Sequence, residues 1–157
     1  YLTNYLFLKK DSEESFPVFI DWNIGNFSVN GKYEFFSRWD YDWFRIGSRV
    51  LDFCFFSRVC SRQGDKKYFS YLPNTLNENR FLFFLKSYHQ IYPLRKNEVK
   101  MLKEMYRFFI LNYVIKDGDR FFHSKLAKRL SQESFDTYIP NIDDNFQENK
   151  ILDCLGI

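Results

Sequence analysis

A chain of 157 residues is one domain by length and long enough to bury a real core. Its composition, 45% hydrophobic and 27% charged, is that of a globular chain, and a net charge of +3 with no basic run longer than two residues argues against a nucleic-acid partner. No apolar stretch reaches membrane-spanning length without charge and no signal peptide is visible, so a cytoplasmic chain with no membrane contact is expected.

The bias is aromatic: 20 Phe and 11 Tyr stand against a single alanine, Ala127, which favours a core of large rings. Cys54, Cys60 and Cys154 are odd in number and lack CxxC spacing, as packed, reduced thiols of a cytosolic protein would. His89 and His123 stand alone, which speaks against zinc. The chain does not begin with Met, so it is expected to be processed or a piece of something longer.

In chain order, "YLFL" at 5–8 and "PVFI" at 17–20 are short strand candidates, and the polar "KKDSEES" between them makes a β-hairpin the economical reading. Residues 22–44 read as irregular, with a short strand near 33–36. From about 46 the pattern turns helical: Val50, Leu51, Cys54, Phe55 and Val59 recur at spacings of three and four, fading at "SRQGD". A linker around Pro73 leads to a helix over about 77–91, with Phe81, Phe84, Leu85 and Tyr88 on one face. "YPLRKNEV" is a stop and restart in which Pro93 blocks continuation and Glu98 suits an N-terminal turn, although Arg95 stands where a Ser or Thr cap would be ideal. The helix over about 96–115 is apolar nearly all round towards its end, as a central buried helix is. "KDGD" breaks it, a basic helix follows over about 120–130, and the acidic last 25 residues read as a loosely docked tail.

The chemistry-bearing pair is Asn4 and Asp21. A hairpin sets the start of its first strand beside the end of its second, so these two side chains are expected to meet at one sheet edge. An amide oxygen and a carboxylate suit Mg²⁺, a hard cation that takes one or two protein carboxylates and fills its other positions with water and phosphate. Asp21 alone is equally a turn residue, since strands often end in Asp. In "FFSRWDYDWFR", Trp39, Tyr41 and Trp43 alternate with Asp40 and Asp42. Rings and carboxylates together fit a cationic acceptor or a stacked sugar. The same alternation fits a strand with one aromatic face on the core, and Arg38 and Arg45 could pair with those acids internally.

The order Asn, strand, turn, strand, "IDW", then a helix carrying "LDF", resembles the C-terminal lobe of the aminoglycoside phosphotransferase and choline kinase-like superfamily, of protein kinase-like fold. "YHQIYPLRKNEV" is similar to that family's "GY-x-x-x-x-P-L-x-x-x-E" segment, with Tyr88, Pro93, Leu94 and Glu98 in step. The likeness covers roughly residues 1–116. It implies that Asn4 is the magnesium ligand of the H-G-D-x-x-x-x-N loop. It further implies that Asp21 is the strand-end ligand corresponding to the Asp of the protein-kinase D-F-G motif, and that Asp52 is a structural anchor behind the catalytic loop. Asp52 could also simply cap or pair within its own helix. In kinases of this type the acceptor sits near the aromatic insert, which marks Trp39, Asp40, Asp42 and Trp43 as acceptor-binding candidates.

The departures are the family's catalytic Asp, whose place falls just ahead of Tyr1, the nucleotide-binding lobe, and an insert after "IDW" that is longer than usual. The expectation is therefore an α+β, mostly α fold: a kinase C-lobe with a small β-hairpin followed by about four helices. Residues 1–45 would form the partial catalytic loop, metal-site hairpin and aromatic insert, 46–133 the helical lobe, and 134–157 the tail. Its function would be that of a piece of an ATP- and Mg²⁺-dependent small-molecule kinase phosphorylating a hydroxyl, inactive without the missing N-terminal lobe. A non-catalytic helical interaction module is the alternative.

Overall fold

The computed structural model describes residues 15–62 and 70–157. Asn4, the strand expected at 5–8 and the hairpin built on it lie outside the described residues. What is described is a mostly helical α+β architecture in which two small antiparallel ribbons precede the helices.

The first ribbon pairs β1 (Phe16–Val18) with β4 (Arg45–Gly47), Pro17 standing opposite Ile46. Between them lies the second, a hairpin of β2 (Phe27–Val29) and β3 (Phe35–Arg38), irregular at Ser28 and Val29. Its turn is organised by Asn30, whose Oδ1 accepts from the backbone N–H groups of Lys32 and Glu34. The segment expected to be irregular thus holds a strand pair, with β3 close to the strand anticipated near 33–36. The start of the predicted helix is taken by β4 instead, because Ser48 caps the helix two residues later, its Oγ accepting from Val50 N at 3.3 Å.

Helix α1 (Arg49–Cys60) is buried without interruption from Arg49 to Cys54. It is the all-round buried helix of the fold, and it packs on α3 (Lys96–Phe109). The later helix is central and largely buried too, as expected, with eight of its 14 residues buried. Over most of its length α3 is one-sided: Val99, Met101, Leu102, Met105, Tyr106 and Phe109 face inward while Lys96 and Lys100 are exposed. A short 3₁₀ turn (Pro73–Asn77) and α2 (Asn79–Ile91) cover the other side, with Phe84 and Tyr88 edge-on to Phe53.

The stop and restart between α2 and α3 has an identifiable mechanism. His89 Nδ1 accepts from Leu94 N at 2.9 Å after the Pro93 break. Glu98 Oε2 reaches back to Arg95 N at 2.9 Å, so the N-terminus is satisfied from within even though Arg95 offers no side-chain acceptor. Glu98 also grips Arg49 with both oxygens, at 2.7 and 2.8 Å, while Arg49 Nη2 donates to Pro93 O.

Beyond α3 the helix widens into a π-helical stretch (Ile110–Lys116), where Asp117 N bonds to Asn112 O. Then come α4 (Gly118–Phe121), α5 (Ser124–Glu133), a π-helical turn (Ser134–Tyr138), α6 (Ile139–Asn145) and α7 (Glu148–Leu155). The last 24 residues are therefore helical and docked rather than loosely attached. Tyr138, Ile142 and Ile151 are buried, α7 lies against α2 and α3, and Asn77 binds the backbone at Asn145 and Gln147. No helix among the described residues is long and apolar enough to cross a membrane.

Candidate functional site

The segment "PVFIDW" leaves β1 after Val18 and makes two successive tight turns. Asp21 N donates to Phe19 O at 2.7 Å, and Trp22 N to Ile20 O at 2.9 Å. The first turn puts Ile20 at φ 64° with its side chain fully inside. A β-branched residue in the left-handed region is strained, and such a conformation persists only where the surroundings over-determine it.

Asp52 supplies that determination. From the first turn of α1 its Oδ1 accepts from Phe19 N at 3.0 Å and from Ile20 N at 2.7 Å, and its Oδ2 takes Phe19 N at 3.1 Å. A carboxylate in a helix's first turn is favoured by the dipole. Burial nonetheless raises the Asp52 carboxyl above the ordinary carboxylate range, against the pull of those two N–H groups. The carboxylate of α1 thus holds the backbone that presents Asp21.

Asp21 is half-buried. Its Oδ2 accepts from Asn26 Nδ2 at 2.9 Å and its main-chain carbonyl from Arg38 Nη2 at 2.9 Å. Among the described residues its Oδ1 carries no hydrogen bond. Beside it opens a cavity of about 150 Å³, lined among the described residues by Ile20 and Asp21 and otherwise by rings, including Trp43, Tyr71, Phe109, Tyr113 and Phe121. Trp43 leans on Phe121 with centroids 4.9 Å apart and meets Tyr113 edge-on at 6.4 Å. Phe109 and Tyr113, four residues apart across the junction of α3 with its π-helical stretch, both reach the cavity. Arg45 donates to the Tyr113 hydroxyl and lies 5.7 Å from its ring centre, while burial pushes that phenol up from its ordinary value.

The acceptor candidates divide. Trp43 shares the cavity with Asp21, whereas Trp39, Asp40 and Asp42 are exposed and do not line it. Asp40 sits at φ 63°, just ahead of the turn in which Phe44 N donates to Tyr41 O. Asn4 lies outside the described residues. No cluster of three or more His, Cys, Asp or Glu suited to a metal is present among the described residues. A magnesium ion held mainly by substrate phosphates and water needs only one or two carboxylates, so the free oxygen of Asp21 fits that demand.

Sequence reasoning passed over Asn26, and it placed Tyr113 in the core, where it lies, without showing that the ring also lines the cavity. It weighed Arg38 only as a partner for nearby acids. For Asn26 a signal existed, an amide five residues after the acid with Gly25 between them. For Tyr113 there was none, because a cavity-lining ring and a core ring look alike in a helical stripe. Comparison of the chain with protein-family models, with curated proteins and with solved structures found no match in any of the three.

Proposed function

We propose that this chain is the C-terminal lobe of an ATP- and magnesium-dependent small-molecule kinase that phosphorylates a hydroxyl group. The observation that supports it most is Asp21. A strained loop, pinned from behind by Asp52, offers one free carboxylate oxygen at the rim of an aromatic cavity. In this reading Asp21 holds Mg²⁺, which would neutralise charge on the nucleotide phosphates, and Asn4 is the second ligand implied by the resemblance. The cavity takes the apolar or cationic part of the acceptor. At about 150 Å³ it suits a group no larger than one benzene-sized ring, and Trp43 and Tyr113 offer faces to a cation. The general base and the nucleotide lobe would come from sequence ahead of Tyr1.

The test has two parts. The coding sequence upstream should read H-G-D and one further residue before Tyr1, preceded by a nucleotide-binding lobe. In the longer chain, Asp21→Ala is expected to abolish phosphoryl transfer from MgATP while leaving far-UV circular dichroism and the melting curve unchanged. Wild-type turnover in that variant refutes the role of Asp21. A second reading, a non-catalytic interaction module, is favoured by one feature: large apolar side chains stand exposed along the aromatic insert, Tyr33 at 90%, Phe36 at 73% and Phe35 at 65%. Unrelated sequence ahead of Tyr1 would favour it.

A further inference from the structure

Arg38 is a cation enclosed by rings. Its guanidinium lies 4.1 Å from the ring centre of Phe19 and between 5.3 and 5.5 Å from those of Trp22, Tyr41 and Phe27. Of its donors, Nη2 bonds to the Asp21 carbonyl, while Nε and Nη1 are buried without hydrogen-bond partners among the described residues. Each buried donor left unmatched costs about 1–3 kcal/mol. An apolar side chain of similar length would fill the same ring cage without that penalty, as replacement of buried ionic groups often shows. The peptide that follows Asp21 is held on its N–H side by Ile20 O, and what the guanidinium does that an apolar chain cannot is hold its carbonyl side as well.

The peptide planes ahead of Asp21 are already held. Asp52 binds the N–H groups of Phe19 and Ile20, and Asp21 N is tied to Phe19 O. With the Asp21 carbonyl tied to Arg38 as well, the Cα of Asp21 sits between two immobilised peptides, and the direction of its carboxylate is set. Asn26 then fixes the rotation of the carboxylate itself.

We propose that Arg38 is a positioning residue that orients Asp21 for a divalent cation, acting through the Asp21 main-chain carbonyl from within its aromatic cage. The inference rests on the reading of Asp21 as a metal ligand. Residues of this kind, one bond removed from a ligand, typically change metal affinity by about 10–100-fold when replaced.

Mn²⁺ binding to the 157-residue chain, followed by water-proton relaxation, tests this directly with the metal alone as probe. Four variants are needed: Asp21→Ala, Arg38→Met, Arg38→Lys and Ile151→Ala, with stability measured for each by urea unfolding. Asp21→Ala should abolish a specific Mn²⁺ site, and Arg38→Met should weaken it about 10-fold or more. Arg38→Lys keeps the charge but not the planar fork and should fall between wild type and Arg38→Met. Ile151→Ala, remote from the loop, should keep wild-type affinity although it loses more stability than Arg38→Met does. If Asp21→Ala abolishes the site but Arg38→Met binds Mn²⁺ as wild type does, the positioning role is overturned. Tighter binding in Arg38→Met also overturns it, being the sign expected of a cation that merely repels the metal. Equal weakening in Arg38→Met and Ile151→Ala assigns the effect to stability and overturns it as well. Absence of an Asp21-dependent site in the wild-type chain refutes the metal reading itself, a result distinct from the other three.

Discussion

Asp52 is the residue on which the site's geometry turns. Two backbone N–H groups, of Phe19 and Ile20, have its carboxylate as acceptor across 33 and 32 residues of sequence. A buried donor left without an acceptor costs about 1–3 kcal/mol, and the left-handed backbone at Ile20 loses its restraint at the same time. Asp52→Ala is therefore expected to lower the unfolding free energy by about 2–5 kcal/mol, read from the urea midpoint at unchanged slope. An effect below about 0.5 kcal/mol, typical of a surface position, would show that the loop is held by something else. Both Asp21 and Asp52 were legible as residues worth naming, because "IDW" and "LDF" are local patterns. That one accepts from the backbone carrying the other was not derivable from spacing, since it needs β1 and α1 to be packed together.

At the scale of elements, the link between α1 and α3 is the Arg49–Glu98 pair. The two side chains are 7% and 8% exposed and meet through two hydrogen bonds. Such a pair contributes little relative to apolar packing, yet removing one partner strands the other charge out of water, at a cost of about 3–5 kcal/mol. Arg49→Ala should thus be among the most destabilising single changes, observable as a lowered melting temperature. A shift no larger than that of an exposed pair such as Arg129–Glu133 would contradict this account. Periodicity located all of α1, α2 and α3 to within a few residues. It placed α3 correctly as a central, largely buried helix, but gave no sign that α1, whose apolar run is shorter, is buried on every side over its first six residues. β4 was missed because three residues carry too short a period to outvote the helical pattern that follows.

For the whole molecule, the C-terminal helices close the core. Tyr138, Ile142 and Ile151 are buried against the earlier helices, and Lys150 Nζ donates to Asn77 O across 73 residues. Ile151→Ala should cost about 2–5 kcal/mol, the range for emptying a buried aliphatic site, whereas a loosely attached tail would show almost no change. Gly156, at φ 75°, ends α7 in the left-handed conformation that glycine adopts freely. The acidic and amide residues between the buried positions hid this docking from a reading based on composition.

The first three helices in order, the break at Pro93 and the short strand that runs towards Asp21 were contained in the sequence alone, because each depends on residues within a turn or two of one another. The pairing of β1 with β4, the meeting of Arg49 with Glu98, the ring-lined cavity beside Asp21 and the docking of α7 were decided only in three dimensions. Each joins segments tens of residues apart, and whether a ring, a charge or a backbone N–H is matched depends on which surfaces the packed chain brings together.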